Sequence, residues 1–226
     1  MGAISQNAMI TKSLVDKSNG LFILSPENTD SRYSKHDDGG VEVEVGELLY
    51  SMVRILKPQH ILETGTYSGI SALYMAQALK ENNSGDIITL EIDSTHKLRA
   101  EKLWKACEVE KYVGCIMQNS LDYELPGMQY DMMFLDSEPE VRFKELVKFF
   151  PCLKPGGYVF LHDLPRGFCE GNVNPDHPEY KNWPWGELPN EIKQWLKNGD
   201  LVKFHLPNPR EMVGFYKRRK DDYEVR

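Results

Sequence analysis

A chain of 226 residues with a formal net charge of -7 is long enough for one well-buried α/β domain, and too acidic to grip nucleic-acid phosphate by bulk electrostatics. Cys107, Cys115, Cys152 and Cys169 show no C-x-x-C spacing, which sets aside a zinc knuckle or a disulfide framework and makes a reduced, cytoplasmic setting the expectation. No stretch has the apolar length of a membrane span and the N-terminus lacks the order of a signal peptide, so a soluble protein without a membrane partner is expected.

Residues 1–40 are mixed and polar, with loop signals at Ser25-Pro26 and Asp37 to Gly40, and read as an arm that wraps the core or a partner. The domain proper is expected over 41–220. Val41 to Leu56 has a helical pattern, with Val45, Leu48, Leu49, Met52 and Leu56 on one face. His60 to Glu63 then reads as a strand, Ser68 to Asn82 as a helix, Asp86 to Ile92 as a strand and Ser94 to Val109 as a helix. Tyr112 to Gln118 and Tyr130 to Leu135 are the third and fourth strands. A helix from Pro139 to Phe150 stops before Leu153-Lys154-Pro155-Gly156-Gly157, and Tyr158 to His162 is the fifth strand. Residues 165–187 are an insertion rich in proline and glycine around Trp183 and Trp185. A short helix from Pro189 to Lys197 follows. Leu201 to Leu206 and Met212 to Lys217 are strands joined by Pro207 to Arg210, close enough to pair as an antiparallel hairpin. The basic run Lys217 to Lys220 reads as a solvated chain end. Alternation of this kind gives a mostly parallel sheet covered on both faces, with ligands beyond the C-terminal ends of its strands.

The most telling stretch is Ile61 to Ser71, ILETGTYSGIS, where a strand hands over to a helix. Gly65 and Gly69 permit a tight turn and close backbone approach. The pattern is E-x-G-x-x-x-G, not the G-x-G-x-x-G of dinucleotide folds. A carboxylate at Glu63 beside the turn repels a pyrophosphate and attracts a cation or an amine, so S-adenosylmethionine (SAM) fits better than a nicotinamide dinucleotide. An ordinary βα turn with two glycines is the alternative.

Further acids close the later strands: Glu91 the second, Asp136 the fourth and Asp163 the fifth. A carboxylate at Glu91 can accept hydrogen bonds from both hydroxyls of a ribose. Ser120, after the third strand, is either an adenine contact or a turn serine.

With ETGTYSGIS, TLEID, YDMMFLDSE and LKPGGYVFLHD in this order, the chain resembles the class I SAM-dependent methyltransferases from about Val41 to Lys217, and within them the small-molecule O-methyltransferases of the catechol and caffeoyl-CoA type. The resemblance implies an α/β, Rossmann-like fold: a seven-stranded, mostly parallel sheet with helices on both faces and a C-terminal antiparallel hairpin. It implies that Glu63, Gly65, Tyr67 and Ser71 hold the methionine portion of SAM, with Gly69 and Asp136 also on the cofactor side. Glu91 would hold the ribose, and Ser120 and Ser137 would lie near the adenine. It also implies a homodimer.

In the metal-dependent branch an aspartate after the fourth strand and an Asp-Asn pair after the fifth bind a divalent cation that activates the acceptor hydroxyl. Asp136 and Asp163 match the two aspartates, whereas Leu164 stands at the Asn position and cannot ligate. Two carboxylates plus waters are still enough for Mg²⁺. The branch's general-base lysine is replaced by Pro139, and Lys144 lies further along the helix. His162 beside Asp163 is then the candidate base, with Asp136 and Asp163 as its catalytic partners. A strand-end histidine bonded to a backbone carbonyl is the other reading of His162.

The insertion, with Phe168, His177, Tyr180, Trp183 and Trp185, is either an acceptor wall or an anchored loop. The expected activity is methyl transfer from SAM to a hydroxyl of a small molecule. The alternatives are a nicotinamide-dependent oxidoreductase and a catalytically weakened SAM-binding protein.

Overall fold

The computed structural model describes residues 9–23, 40–124, 127–164, 188–205 and 212–223. The expected insertion 165–187, with its aromatic residues and Cys169, lies outside the described residues, as do Ser25-Pro26, Asp37 to Gly39 and the hairpin loop Pro207 to Arg210. In chain order the elements are α1 (Met9–Lys17), α2 (Val43–Leu56), β1 (His60–Thr64), α3 (Ile70–Asn82), β2 (Asp86–Glu91), α4 (Ser94–Ala106), β3 (Val113–Met117), β4 (Tyr130–Leu135), α5 (Arg142–Phe149), β5 (Leu153–Leu161), α6 (Asn190–Asn198), β6 (Leu201–His205) and β7 (Val213–Lys217). The strands form one seven-stranded sheet in the order β3-β2-β1-β4-β5-β7-β6, mostly parallel, with helices around it. The chain divides into two compact units, residues 1–59 with 66–118, and residues 60–65 with 119–226.

In the first unit β2 and β3 run parallel, from Ile87 opposite Val113 to Glu91 opposite Met117. Val45, Leu49 and Val53 recur every four residues along α2 and are fully buried, whereas Leu48, Met52 and Leu56, expected on the same face as Val45 and Leu49, are half-buried, so the buried stripe is rotated towards Val53. That helix ends where Lys57 turns left-handed ahead of Pro58. The next helix, α3, is buried from Ile70 through Leu79, so its small and apolar residues serve every side rather than one stripe. It packs tightly on α2 because Gly46 has no side chain: a Cβ there would lie 2.3 Å from the Tyr74 ring.

A helix in the N-terminal arm was not expected. Nine residues of mixed polarity carry little helical signal, and α1 is instead held by partners remote in sequence. The Thr11 amide donates to Glu47 at 3.0 Å, the Thr11 hydroxyl lies 2.6 Å from the Tyr74 hydroxyl, and Leu14 is buried.

The second unit holds the other five strands. β1 pairs in parallel with β4, from Ile61 opposite Met132 to Thr64 opposite Leu135, and β4 pairs in parallel with β5. Met132 to Leu135 and Val159 to Leu161 are fully buried, as continuous apolar runs in a doubly covered sheet should be. β7 runs antiparallel to β5 and β6, so the terminal hairpin joins the sheet through its second strand.

The starts of β5 and α5 are among the boundaries that differ from expectation. β5 begins at Leu153, not Tyr158, because its register passes from Tyr130 opposite Leu153 to Met132 opposite Tyr158. The intervening Lys154 to Gly157 bulge out, with Gly156 at φ +89° and Lys154 paired to Asp131 at 2.7 Å. α5 begins at Arg142 rather than Pro139, since residues 139–141 are spent on a turn closed by the Val141 amide and the Glu138 carbonyl.

Candidate active site

Glu63 and Thr64, at the end of β1, are fully buried. Gly65 follows at φ +81°, and a Cβ on it would lie 2.3 Å from the carbonyl oxygen of Asp136 and 2.9 Å from Cα of Ser137. The end of β4 therefore demands glycine here, and the Asp136 amide extends the ladder by donating to Thr64 O at 3.1 Å.

The remainder of the turn belongs to the first unit. The Thr66 hydroxyl bonds that of Thr89 on β2 at 2.7 Å. Tyr67 is left-handed (φ 44°), and its amide donates to Oε2 of Glu91 at 2.7 Å. Oε1 of Glu91 accepts from the amides of Ile92 and Asp93 at 2.8 and 3.0 Å, and His96 Nδ1 lies 3.5 Å away. Three amides thus hold the carboxylate rigidly while its lone pairs exceed three in number, which leaves acceptor capacity for a hydroxyl. Gly69 begins α3 at φ +76°, and the space of its absent side chain is taken by Ala100 and Trp104, whose indole donates to Gly69 O at 2.8 Å. Ser71 is buried in the first turn of α3. A cleft of about 470 Å³ in this unit is lined by Leu21, Phe22, Ile70 and Leu98, with Arg99 and Lys102 also at its wall.

The acidic centre lies in the second unit. Asp136, His162 and Asp163 bring one ligand atom each to within 4.8 Å of one another. His162 is 1% exposed, and its Nδ1 lies 3.3 Å from Asp136 Oδ1 and 3.7 Å from Asp163 Oδ2. Asp163 adopts φ 51°, a left-handed conformation that aspartate tolerates better than most residues and that is common at functional sites. Leu164, at the Asn position, is fully buried, and Lys144 is exposed.

Two residues of this centre were missed from the sequence, Arg142 and Glu145, and both belong to α5. Phe143, Leu146 and Phe149 define the inward face of that helix, and Arg142 and Glu145 are buried with them. A charged pair on a core-facing stripe was the available signal. Nε of Arg142 donates to Ser137 O at 2.9 Å, Nη1 donates to the carbonyls of His162 and, at 3.2 Å, Asp163, and Nη2 lies 3.0 Å from Asp136 Oδ1 and 3.6 Å from Asp163 Oδ2.

Glu145 accepts from the Thr64 hydroxyl at 3.0 Å, and the hydroxyls of Ser120 and Ser137 lie nearby. The two serines expected near the adenine thus lie beside a buried carboxyl group. Burial raises the pKa of Glu145, while those hydroxyls and Arg142 oppose the rise. A raised carboxyl pKa means that the folded state holds the proton more tightly than the unfolded one. Its contribution is complete below the ordinary glutamate range and is lost as pH rises through the folded-state value. Glu145→Gln should therefore gain stability relative to the parent at pH 8 and little at pH 4, read as the difference in urea midpoints. An equal difference at both pH values would contradict this.

A divalent ion does not fit this arrangement well. Both carboxylates that would ligate it already face one buried guanidinium, and the third position is the apolar Leu164.

The sheet order and its mostly parallel pairing are those of a Rossmann-like α/β fold. A family model described as a methyltransferase domain matches residues 62–164, in accord with the resemblance. The chain is 30% identical over 137 residues to the mouse catechol O-methyltransferase domain-containing protein 1, covering 58% of this chain and 52% of that one. It therefore spans about half the length of that curated relative. Among solved structures, the O-methyltransferase TomG of Streptomyces achromogenes, in complex with SAM, superposes with a TM-score of 0.65 at 18% identity, covering 96% of this chain and 92% of that one. The O-methyltransferase of Bacillus cereus in complex with S-adenosylhomocysteine (SAH) gives 0.65 at 16% identity, covering 96% and 94%. At such identities the likeness is one of fold. Together these likenesses favour methyl transfer over the nicotinamide-dependent reading.

Proposed function

We propose that the chain transfers a methyl group from SAM to a hydroxyl of a small-molecule acceptor. The observation that carries this reading is Glu91, a carboxylate closing β2 and held by three backbone amides, the arrangement a ribose diol needs. Glu63, Gly65, Tyr67, Gly69 and Ser71 would serve the methionine portion. Ser120 and Ser137 would border the adenine, with Asp136 also on the cofactor side.

Methyl transfer from a sulfonium is an in-line displacement, so the protein's tasks are alignment and removal of the acceptor's proton. His162 is the base in this reading. With its Nδ1 facing Asp136 and Asp163, the imidazole keeps the proton on that nitrogen and leaves Nε2 to accept one from the acceptor. Magnesium at Asp136 and Asp163 is left out of this scheme, because Arg142 occupies both carboxylates.

A homodimer formed through the N-terminal arm belongs to the same proposal, and a monomeric mass by light scattering would remove it. So does a cytoplasmic setting, which accords with the free thiols of Cys107, Cys115 and Cys152. Among the described residues no helix is long and apolar enough to cross a membrane.

The test is thermal denaturation with SAH, followed by labelled methyl transfer from SAM into hydroxyl-bearing compounds. A melting shift and labelled product are expected. No shift with SAH would overturn the reading, and a shift without transfer to any acceptor would point to the weakened SAM-binding protein instead.

A further inference from the structure

Asp136, His162 and Asp163 present three ligand atoms in a volume suited to a cation, and the structure already places one there. Arg142 is 4% exposed, so its charge has left bulk water and must be met within the protein. The side chain meets the carbonyls of Ser137, His162 and Asp163 and the carboxylates of Asp136 and Asp163. These acceptors come from the segments that follow β4 and β5, so the guanidinium links the two strand ends. Its fork reaches several oxygens in one plane, which a compact ammonium cannot do.

A divalent ion bridging Asp136 and Asp163 would sit against this fixed, buried positive charge, and like charges repel. It would also meet Leu164, fully buried, where a third protein ligand is needed. We propose that Arg142 permanently fills the cation seat of the acidic centre, so that the protein takes no divalent metal there, and that Arg142 is the positioning residue holding Asp136 and Asp163 around His162.

This deepens the methyltransferase reading and rests on it for one consequence, the acceptor class. A metal ion with open positions selects acceptors that chelate through two adjacent oxygens. Arg142 spends its donors on protein oxygens and exerts no such selection. The acceptor is then a compound with a single reactive hydroxyl, and a neighbouring oxygen brings no advantage.

The test reads metal binding directly, by the electron paramagnetic resonance signal of free Mn²⁺ titrated with the full chain. The native protein should leave the signal unchanged. Arg142→Gln, which removes the charge and keeps a donor, should acquire a Mn²⁺ site at least about tenfold tighter. Combining it with Asp136→Asn should abolish that site. One Mn²⁺ bound per native chain, lost in Asp136→Asn, would overturn the proposal. So would an Arg142→Gln variant that retains the parent circular dichroism but binds no Mn²⁺. If Arg142→Gln fails to fold, the native titration still decides. Absence of methyl transfer would leave these titrations unchanged, so the two readings fail separately. Given transfer, EDTA should not alter its rate, and a compound with one hydroxyl should react as well as its vicinal diol.

Discussion

Replacing Glu91 by alanine should remove nearly all of the melting shift that SAH gives the native chain. A hydrogen bond to a charged group contributes roughly 1.5–3 kcal/mol, so losing the ribose contact weakens binding by up to about 100-fold. A ligand present at about 100 times its dissociation constant stabilises the folded state by about 2.7 kcal/mol, and the same concentration after a 100-fold loss contributes only about 0.4 kcal/mol. Alanine also leaves the amides of Tyr67, Ile92 and Asp93 without their acceptor, which loosens the turn itself. Glu91→Gln separates the two effects, because it keeps one acceptor oxygen for the amides while losing the charge. The decisive measurement is the dissociation constant for SAH by calorimetry, with the unliganded melting temperature as control. A constant within about threefold of the parent would overturn the assignment of Glu91 to the ribose.

Gly65→Ala is expected to be the most destabilising change of a single methyl group in the second unit. At φ +81° any side chain carries a left-handed penalty of about 1–2 kcal/mol. The added Cβ would also lie 2.3 Å from a carbonyl oxygen, and backbone cannot rotate aside as the tip of a flexible side chain can. Overpacking of that kind costs about 1–3 kcal/mol more, for a total of roughly 2–5 kcal/mol. In a domain of this size that is a fall of the melting temperature on the order of 10 °C. Gly20→Ala is the matched control, with φ +82° and nothing within 4 Å of the added atom, so only the backbone penalty applies. Equal melting temperatures for the two variants would show that the strand end yields, and that Gly65 is present for its conformation alone.

The pattern of elements was legible along the chain because each strand and helix is written locally. Apolar runs such as Met132 to Leu135 mark doubly buried strands, and Val45 and Leu49 mark a helix face. Glu63, Glu91, Asp136 and Asp163 could be placed for the same reason, since each follows such a run directly. What escaped was written in contacts between distant segments. The first helix is held by Glu47 and Tyr74, and the bulge at Lys154 to Gly157 exists only as a register against β4.

The candidate site divides along the same line. The sequence alone determined the βα turn, the carboxylate that closes β2 and the three-residue acidic centre, because residue type and position after a strand suffice for those. Only the tertiary structure decided which charge meets which. Arg142 and Glu145 look in sequence like ordinary helix charges, yet the packing of α5 buries both, delivers one to Asp136 and Asp163, and gives the other the hydroxyl of Thr64. A buried charge must find its partner wherever the fold brings one, and that pairing is a property of three-dimensional packing that local sequence does not encode.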